Sequence, residues 1–66
     1  MIIKVNGNQK QVSQNSTLKA LIEDLGLNDK VMAAAVNMQI IKQVKWAECI
    51  LQENDSIELL DFVGGG

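Results

Sequence analysis

The sequence contains no histidine, arginine, tyrosine or proline, a single cysteine (Cys49), and two aromatic residues, Trp46 and Phe62. Each scarcity removes a class of function. Without histidine or a second cysteine, the chain cannot assemble a histidine- or thiolate-ligated zinc site by itself. Ser-His-Asp and Cys-His nucleophiles are excluded on the same ground. Cys49 has no partner for an internal disulfide, and nothing else points to secretion. Six lysines against eight acidic residues leave a formal charge of −2 with no basic cluster, which disfavours nucleic-acid binding. No apolar run approaches the roughly 20 residues of a membrane span, and the opening "MIIKVNGNQK" lacks a signal-peptide core. The expectation is a cytoplasmic, non-enzymatic module with no bound cofactor or metal, no nucleic-acid partner and no membrane.

What is present fits one small domain of 66 residues. A chain of that length buries only about 60% of the surface its unfolded form exposes, which leaves little room for an enclosed catalytic cleft. "MIIKVNG" predicts a strand leading into Asn6-Gly7, the dipeptide best suited to a type I′ hairpin turn. "NQKQVS" then returns as a more polar strand, suited to an edge. Ser16 or Thr17 is placed to cap a helix. Its buried stripe is Leu18, Leu21, Ile22 and Leu25, at i, i+3, i+4 and i+7. Gly26 is placed to end the helix in the left-handed conformation, with Leu27 folding back over the last turn.

"KVMAAAVN" reads as a strand despite three alanines, which are poor strand formers. "QIIKQV" follows as a shorter strand after a tight connection at Asn37-Met38. "KWAECILQ" reads as an irregular or short helical segment from which Trp46, Ile50 and Leu51 cap the core. "ENDS" is a turn and "IELLDF" a final strand. Crossover handedness places the strand after the helix parallel to a strand before it. The resulting fold class is α+β, a grasp-like mixed sheet of four to five strands with one main helix on one face. The other face is left uncovered. On the last strand Ile57, Leu59 and Asp61 point one way and Glu58, Leu60 and Phe62 the other, so both faces carry large apolar groups. Scattered surface apolar residues are ordinary. The alternative is a partner-docking patch of Ile2, Leu60, Phe62 and Val63 beside the end of the chain.

Three of the five glycines stand together at 64–66. A frayed end of small residues accounts for them, as does a linker to a further segment. A reactive terminus is the third reading. Three extended residues span at most about 10 Å, enough to pass a carboxylate from a folded body into another protein's site. Lacking Cβ atoms, Gly64 and Gly65 would thread a channel that stops other residues. The division expected is a body at 1–63 and a flexible glycine tail at 64–66.

The opening "MIIKVNG", "AAVNMQII", "WAECIL" and the ending "ENDSIELLDFVGGG" occur together along nearly the whole chain. In that order and spacing they resemble the ThiS-type sulfur carriers of thiamin biosynthesis, ubiquitin-like proteins of the β-grasp fold. The resemblance implies that an E1-like (ThiF-like) adenylating enzyme would activate Gly66 with ATP. A cysteine desulfurase or other sulfur donor would convert it to a thiocarboxylate. A ThiG-like thiazole synthase would take the sulfur into the thiazole ring. Gly65 maps onto the family's Gly-Gly partner. The chain departs from the family's usual Asp-Gly-Asp with Glu53-Asn54-Asp55, where Asn is the non-glycine residue most tolerant of positive φ. It also carries "KQVK" where relatives often have proline or arginine. A molybdopterin-synthesis carrier, a protein modifier conjugated through Gly66 and a plain interaction domain stay open as alternatives.

Other residues carry ordinary readings beside functional ones. Cys49 reads as a small hydrophobe rather than a sulfur carrier, and Trp46 as a core or rim anchor. Glu58 and Asp61 read as solvated charges, or as groups that would steer a docking partner.

Overall fold

A computed structural model describes residues 1–61. Strands β1 (Ile2–Val5) and β2 (Asn8–Gln11) pair antiparallel, with Val5 opposite Asn8. The two residues between them, Asn6 and Gly7, have φ of 51° and 86°. Both central residues of a type I′ turn need positive φ, so the Asn-Gly pair fixes the hairpin and its register.

Helix α1 (Leu18–Asp24) starts where Thr17, in extended conformation, turns its Oγ1 back to accept from the Ala20 amide at 3.1 Å. Thr17, rather than Ser16, is thus the N-cap. Leu18, Leu21 and Ile22 are buried, and Leu25 packs half-buried beside them. Gly26 has φ of 73°. Its N–H bonds to the Glu23 carbonyl at 2.9 Å, and the Leu27 N–H bonds to Ile22 at 3.0 Å. These two bonds make a complete Schellman ending, with Leu27 packed against the core.

Strand β3 (Val31–Val36) and strand β4 (Gln39–Ile41) form a second hairpin through Asn37 and Met38, with φ of 51° and 72°. A six-residue 3₁₀ helix, Gln43–Glu48, inserts Trp46 into the core, and its Nε1 donates to the Ile41 carbonyl at 2.9 Å. The chain then runs extended beside the start of α1: Leu18 N donates to Cys49 O and Leu51 N to Ser16 O, each at 2.8 Å. Period-two alternation there buries Leu51 and turns Ile50 outward. The expectation that Ile50 caps the core is therefore corrected.

Strand β5 (Ser56–Asp61) lies in the middle of the sheet. The strand order among the described residues is β2-β1-β5-β3-β4, with β1 and β5 parallel and the other pairs antiparallel. β3 runs parallel to β2, yet its hydrogen-bonding partners are β5 and β4. One helix across one face of this mixed sheet is the β-grasp arrangement. Ile3, Leu18, Ile22, Leu51 and Ile57 form the fully buried centre. The three alanines of β3 fit this layout. Ala34 faces the core, where a larger side chain would press on its neighbours, while Ala33 and Ala35 lie on the opposite face.

Candidate functional site

The candidate segment 62–66 follows directly on β5, so the structure bears on it through the end of that strand and the surface around it. Phe62, Val63, Gly64, Gly65 and Gly66 lie outside the described residues. The expected boundary between body and tail at residue 63 lies there too.

Strand β5 is held from both sides almost to its end. On one flank Val31, Ala33, Ala34, Ala35 and Val36 of β3 pair with Asp61, Leu60, Leu59, Glu58 and Ile57. A β-bulge at Met32 interrupts this ladder, two residues of β3 spanning one step of β5. On the other flank, β1 pairs with β5 only at Lys4–Ser56 and Val5–Ile57, before its chain turns away at Asn6. The Asn6 N–H still reaches the Ile57 carbonyl at 2.8 Å. Beyond it the Asn6 side chain takes over. Its Oδ1 accepts from the Leu59 N–H at 2.8 Å, and its Nδ2 donates to the Leu59 carbonyl at 3.3 Å.

A second asparagine does similar work at the start of β5. The Asn37 N–H donates to Ser56 O at 2.8 Å, while its Oδ1 accepts from the Ser56 N–H at 2.9 Å. Its Nδ2 donates to the buried carboxylate of Asp55 at 2.9 Å, which also accepts from the Gln52 N–H at 2.7 Å. Asn54, with φ of 70°, adopts the left-handed conformation in the turn before β5. Its amide bonds to Ile2 O at 2.9 Å.

The outward face of β5 presents Glu58 and Leu60, both exposed. Leu60 stands opposite Ala33, and Ala35 stands between Glu58 on one side and Ile40 on the other. The short alanine side chains form the floor between Leu60, 60% exposed, and Ile40, 68% exposed. This gives a shallow apolar depression on the sheet face not covered by the helix. Ile2 shares that face but does not adjoin the depression. Lys4 is level with Ser56, so Ile2 sits beside the beginning of β5, roughly 15–20 Å from Leu60 at the ~3.3 Å rise of a strand. The expected patch uniting Ile2 with Leu60 is thus corrected: because β1 and β5 are parallel, Ile2 falls at the opposite end of the sheet. Ile40, which was not singled out in the sequence, takes its place. Its exposure follows from the two-residue Asn37-Met38 turn, which sets Ile40 opposite Ala35.

The thiol of Cys49 is half-buried. Burial, and then the negative charge of Asp55, push its pKa above the ordinary thiol range. Lys45, the neighbouring cation that would lower it, instead pairs with Glu48 at 3.7 Å. A thiol so placed is a poor nucleophile at neutral pH. Among the described residues no three His, Cys, Asp or Glu side chains lie close enough together to hold a metal ion. Nor is any helix among them long and apolar enough to cross a membrane.

Comparison with known proteins places these features. The model of the ThiS family matches residues 3–66, which includes the "FVGGG" ending. The sulfur carrier protein ThiS of Escherichia coli is 33% identical over 66 residues, covering the whole of both chains. A thiazole synthase of Paramagnetospirillum magneticum is 29% identical over 66 residues, and this chain spans only 20% of that protein's length. The crystal structure of thiamine biosynthesis protein ThiS from Geobacter metallireducens superposes over the whole of both chains with a TM-score of 0.80 at 21% identity, a likeness of fold. The chain belongs to the ThiS family of small sulfur carrier proteins.

Proposed function

We propose that this chain carries sulfur on the carboxylate of Gly66 for the building of the thiamin thiazole ring. The observation that supports this most directly is the family match running through residue 66, with the glycine ending inside it. The chemistry follows from the group itself. An α-carboxyl with a pKa of about 3.3–3.7 is ionised in the cell, and its oxygen attacks the α-phosphorus of ATP while pyrophosphate leaves. The acyl-adenylate is then attacked by a persulfide sulfur, with AMP as the leaving group. Cleavage of the resulting sulfur–sulfur bond by a thiol reductant leaves the thiocarboxylate. The ATP site and the catalytic groups belong to a ThiF-like adenylating enzyme, and the persulfide to a cysteine desulfurase or another donor. The present chain supplies a body to hold and an end to charge.

The depression between Leu60 and Ile40 is the surface we assign to the adenylating enzyme. It lies on the uncovered sheet face, at the end of β5 from which residue 62 departs. Thiazole synthase is the proposed recipient, in keeping with the name of the Paramagnetospirillum relative. Gly64 and Gly65 are the residues that would thread into the partners' sites, since a chain without Cβ atoms fits a narrower channel.

Intact-mass measurement tests this reading. The protein, ending at Gly66, is incubated with ATP, a ThiF-like enzyme, a persulfide donor and a thiol reductant. The expected product has one oxygen replaced by sulfur. A product heavier by an entire second polypeptide would instead identify a protein modifier, and an unchanged mass would contradict the carrier reading.

A further inference from the structure

The side chain of Asn6 is bound to a strand that the hairpin reading gave it no reason to meet. In a regular parallel ladder, one residue donates its N–H to one neighbouring carbonyl and accepts at its own carbonyl from an N–H two residues further along. Asn6 makes the first of these bonds with its main chain, to Ile57 O. The left-handed turn at φ 51° diverts β1 from the sheet after this residue. Its side-chain Oδ1 accepts from the Leu59 N–H at 2.8 Å, the bond that the main-chain carbonyl of a continuing strand would accept. The Nδ2 group of the same carboxamide binds Leu59 O. One planar carboxamide thus offers Leu59 both the acceptor and the donor that two successive peptide units of a continuing β1 would supply.

We propose that the Asn6 carboxamide is a positioning group for the carrier end: by clamping Leu59 it fixes the direction in which the chain leaves the body. This rests on the reading that Gly66 carries the reacting carboxylate. Leu59 is the last β5 residue held on the β1 side by any of the described hydrogen bonds beyond Ile57. Without the carboxamide the last residues of β5 are held by β3 alone, through Leu60 and Asp61. A looser point of departure misplaces the carboxylate, and misplacement slows a reaction. Asn6 also borders the depression of Leu60 and Ile40, with its carboxamide engaged by Leu59. Loss of the clamp should then lower turnover beyond any effect on docking.

Asn6→Gly is the discriminating variant. Glycine accepts the left-handed φ without strain and Gly-Gly suits a type I′ turn, so the hairpin persists while the carboxamide is lost. Asn6→Asp keeps an acceptor for the Leu59 N–H but sets an oxygen against the Leu59 carbonyl. The readouts are carrier-dependent ATP–pyrophosphate exchange by a ThiF-like enzyme, and amide hydrogen exchange. We expect Asn6→Gly to lower kcat about tenfold, beyond any change in KM, and to speed exchange at the Leu59 amide by a similar factor, with Ile3 and Ile57 unaffected. Asn6→Asp should show a smaller loss of the same kind. Wild-type kcat in both variants, or a loss confined to KM, overturns the positioning role while leaving the carrier reading in place. Absence of exchange activity with the unaltered protein overturns the carrier reading and the positioning role with it.

Discussion

Asp55 is the one buried charged residue among those described, and its two hydrogen bonds show why it is there. Its carboxylate joins the Asn37 side chain to the Gln52 amide, tying the second hairpin to the turn that launches β5. Removing it leaves two part-buried donors without their acceptor. Asp55→Ala should cost about 2–4 kcal/mol, the range for losing charge-assisted bonds and stranding their partners. Urea unfolding followed by Trp46 fluorescence measures this, and a change below about 0.5 kcal/mol would show that the network is not structural. Residue-scale reading of the sequence succeeded where local backbone chemistry decides the outcome. Asn6-Gly7, Gly26 and Asn54 all adopt the left-handed conformation their residue types favour. The second roles of Asn6 and Asn37 were not legible. Asn6 meets Leu59 across 53 positions of sequence, and no local pattern states which strand will lie beside a turn.

Strand β5 is the element on which fold and function meet. Its alternation was legible: Ile57 and Leu59 are buried against the helix layer, and Leu60 is exposed on the other side. Period two reveals the face on which a side chain lies but not its height along the sheet, and that is why Ile2 was joined to Leu60 in error. Height depends on the direction and register of pairing, here the parallel match of Lys4 with Ser56. The same limit hid Ile40, whose neighbourhood is set by the β3–β4 register. An exposed Leu60 contributes little to stability, so Leu60→Glu should change the unfolding free energy by less than about 0.5 kcal/mol. If the Leu60–Ile40 depression docks the adenylating enzyme, the same change should raise the KM for this protein at least about tenfold, from one desolvated anchor lost and a charge gained. An unchanged KM would remove the depression from the interface. The effect predicted for Asn6 includes a loss of kcat, which Leu60→Glu should not produce.

At the scale of the whole molecule, the domain divides its labour by position. Ten core side chains from the helix, three strands, the 3₁₀ segment and the extended stretch after it close one side of the sheet, and these include Trp46 and Leu51. No described residue outside that core has the chemistry to act on sulfur: the only thiol is half-buried with its pKa raised. A small body of this kind suits a protein that is handled by others. In the proposed reading it needs an outward surface to be recognised and a fixed point from which its end departs, and β5 would provide both. The most direct test of the carrier reading compares two versions of the chain, one ending at Gly66 and one extended by a single alanine. Both are confirmed folded, incubated with ATP, a ThiF-like enzyme, a persulfide donor and a thiol reductant, and weighed intact by mass spectrometry. The account predicts that the first exchanges one oxygen for sulfur and that the second stays unchanged; sulfur gained by the extended chain without loss of its alanine would contradict it.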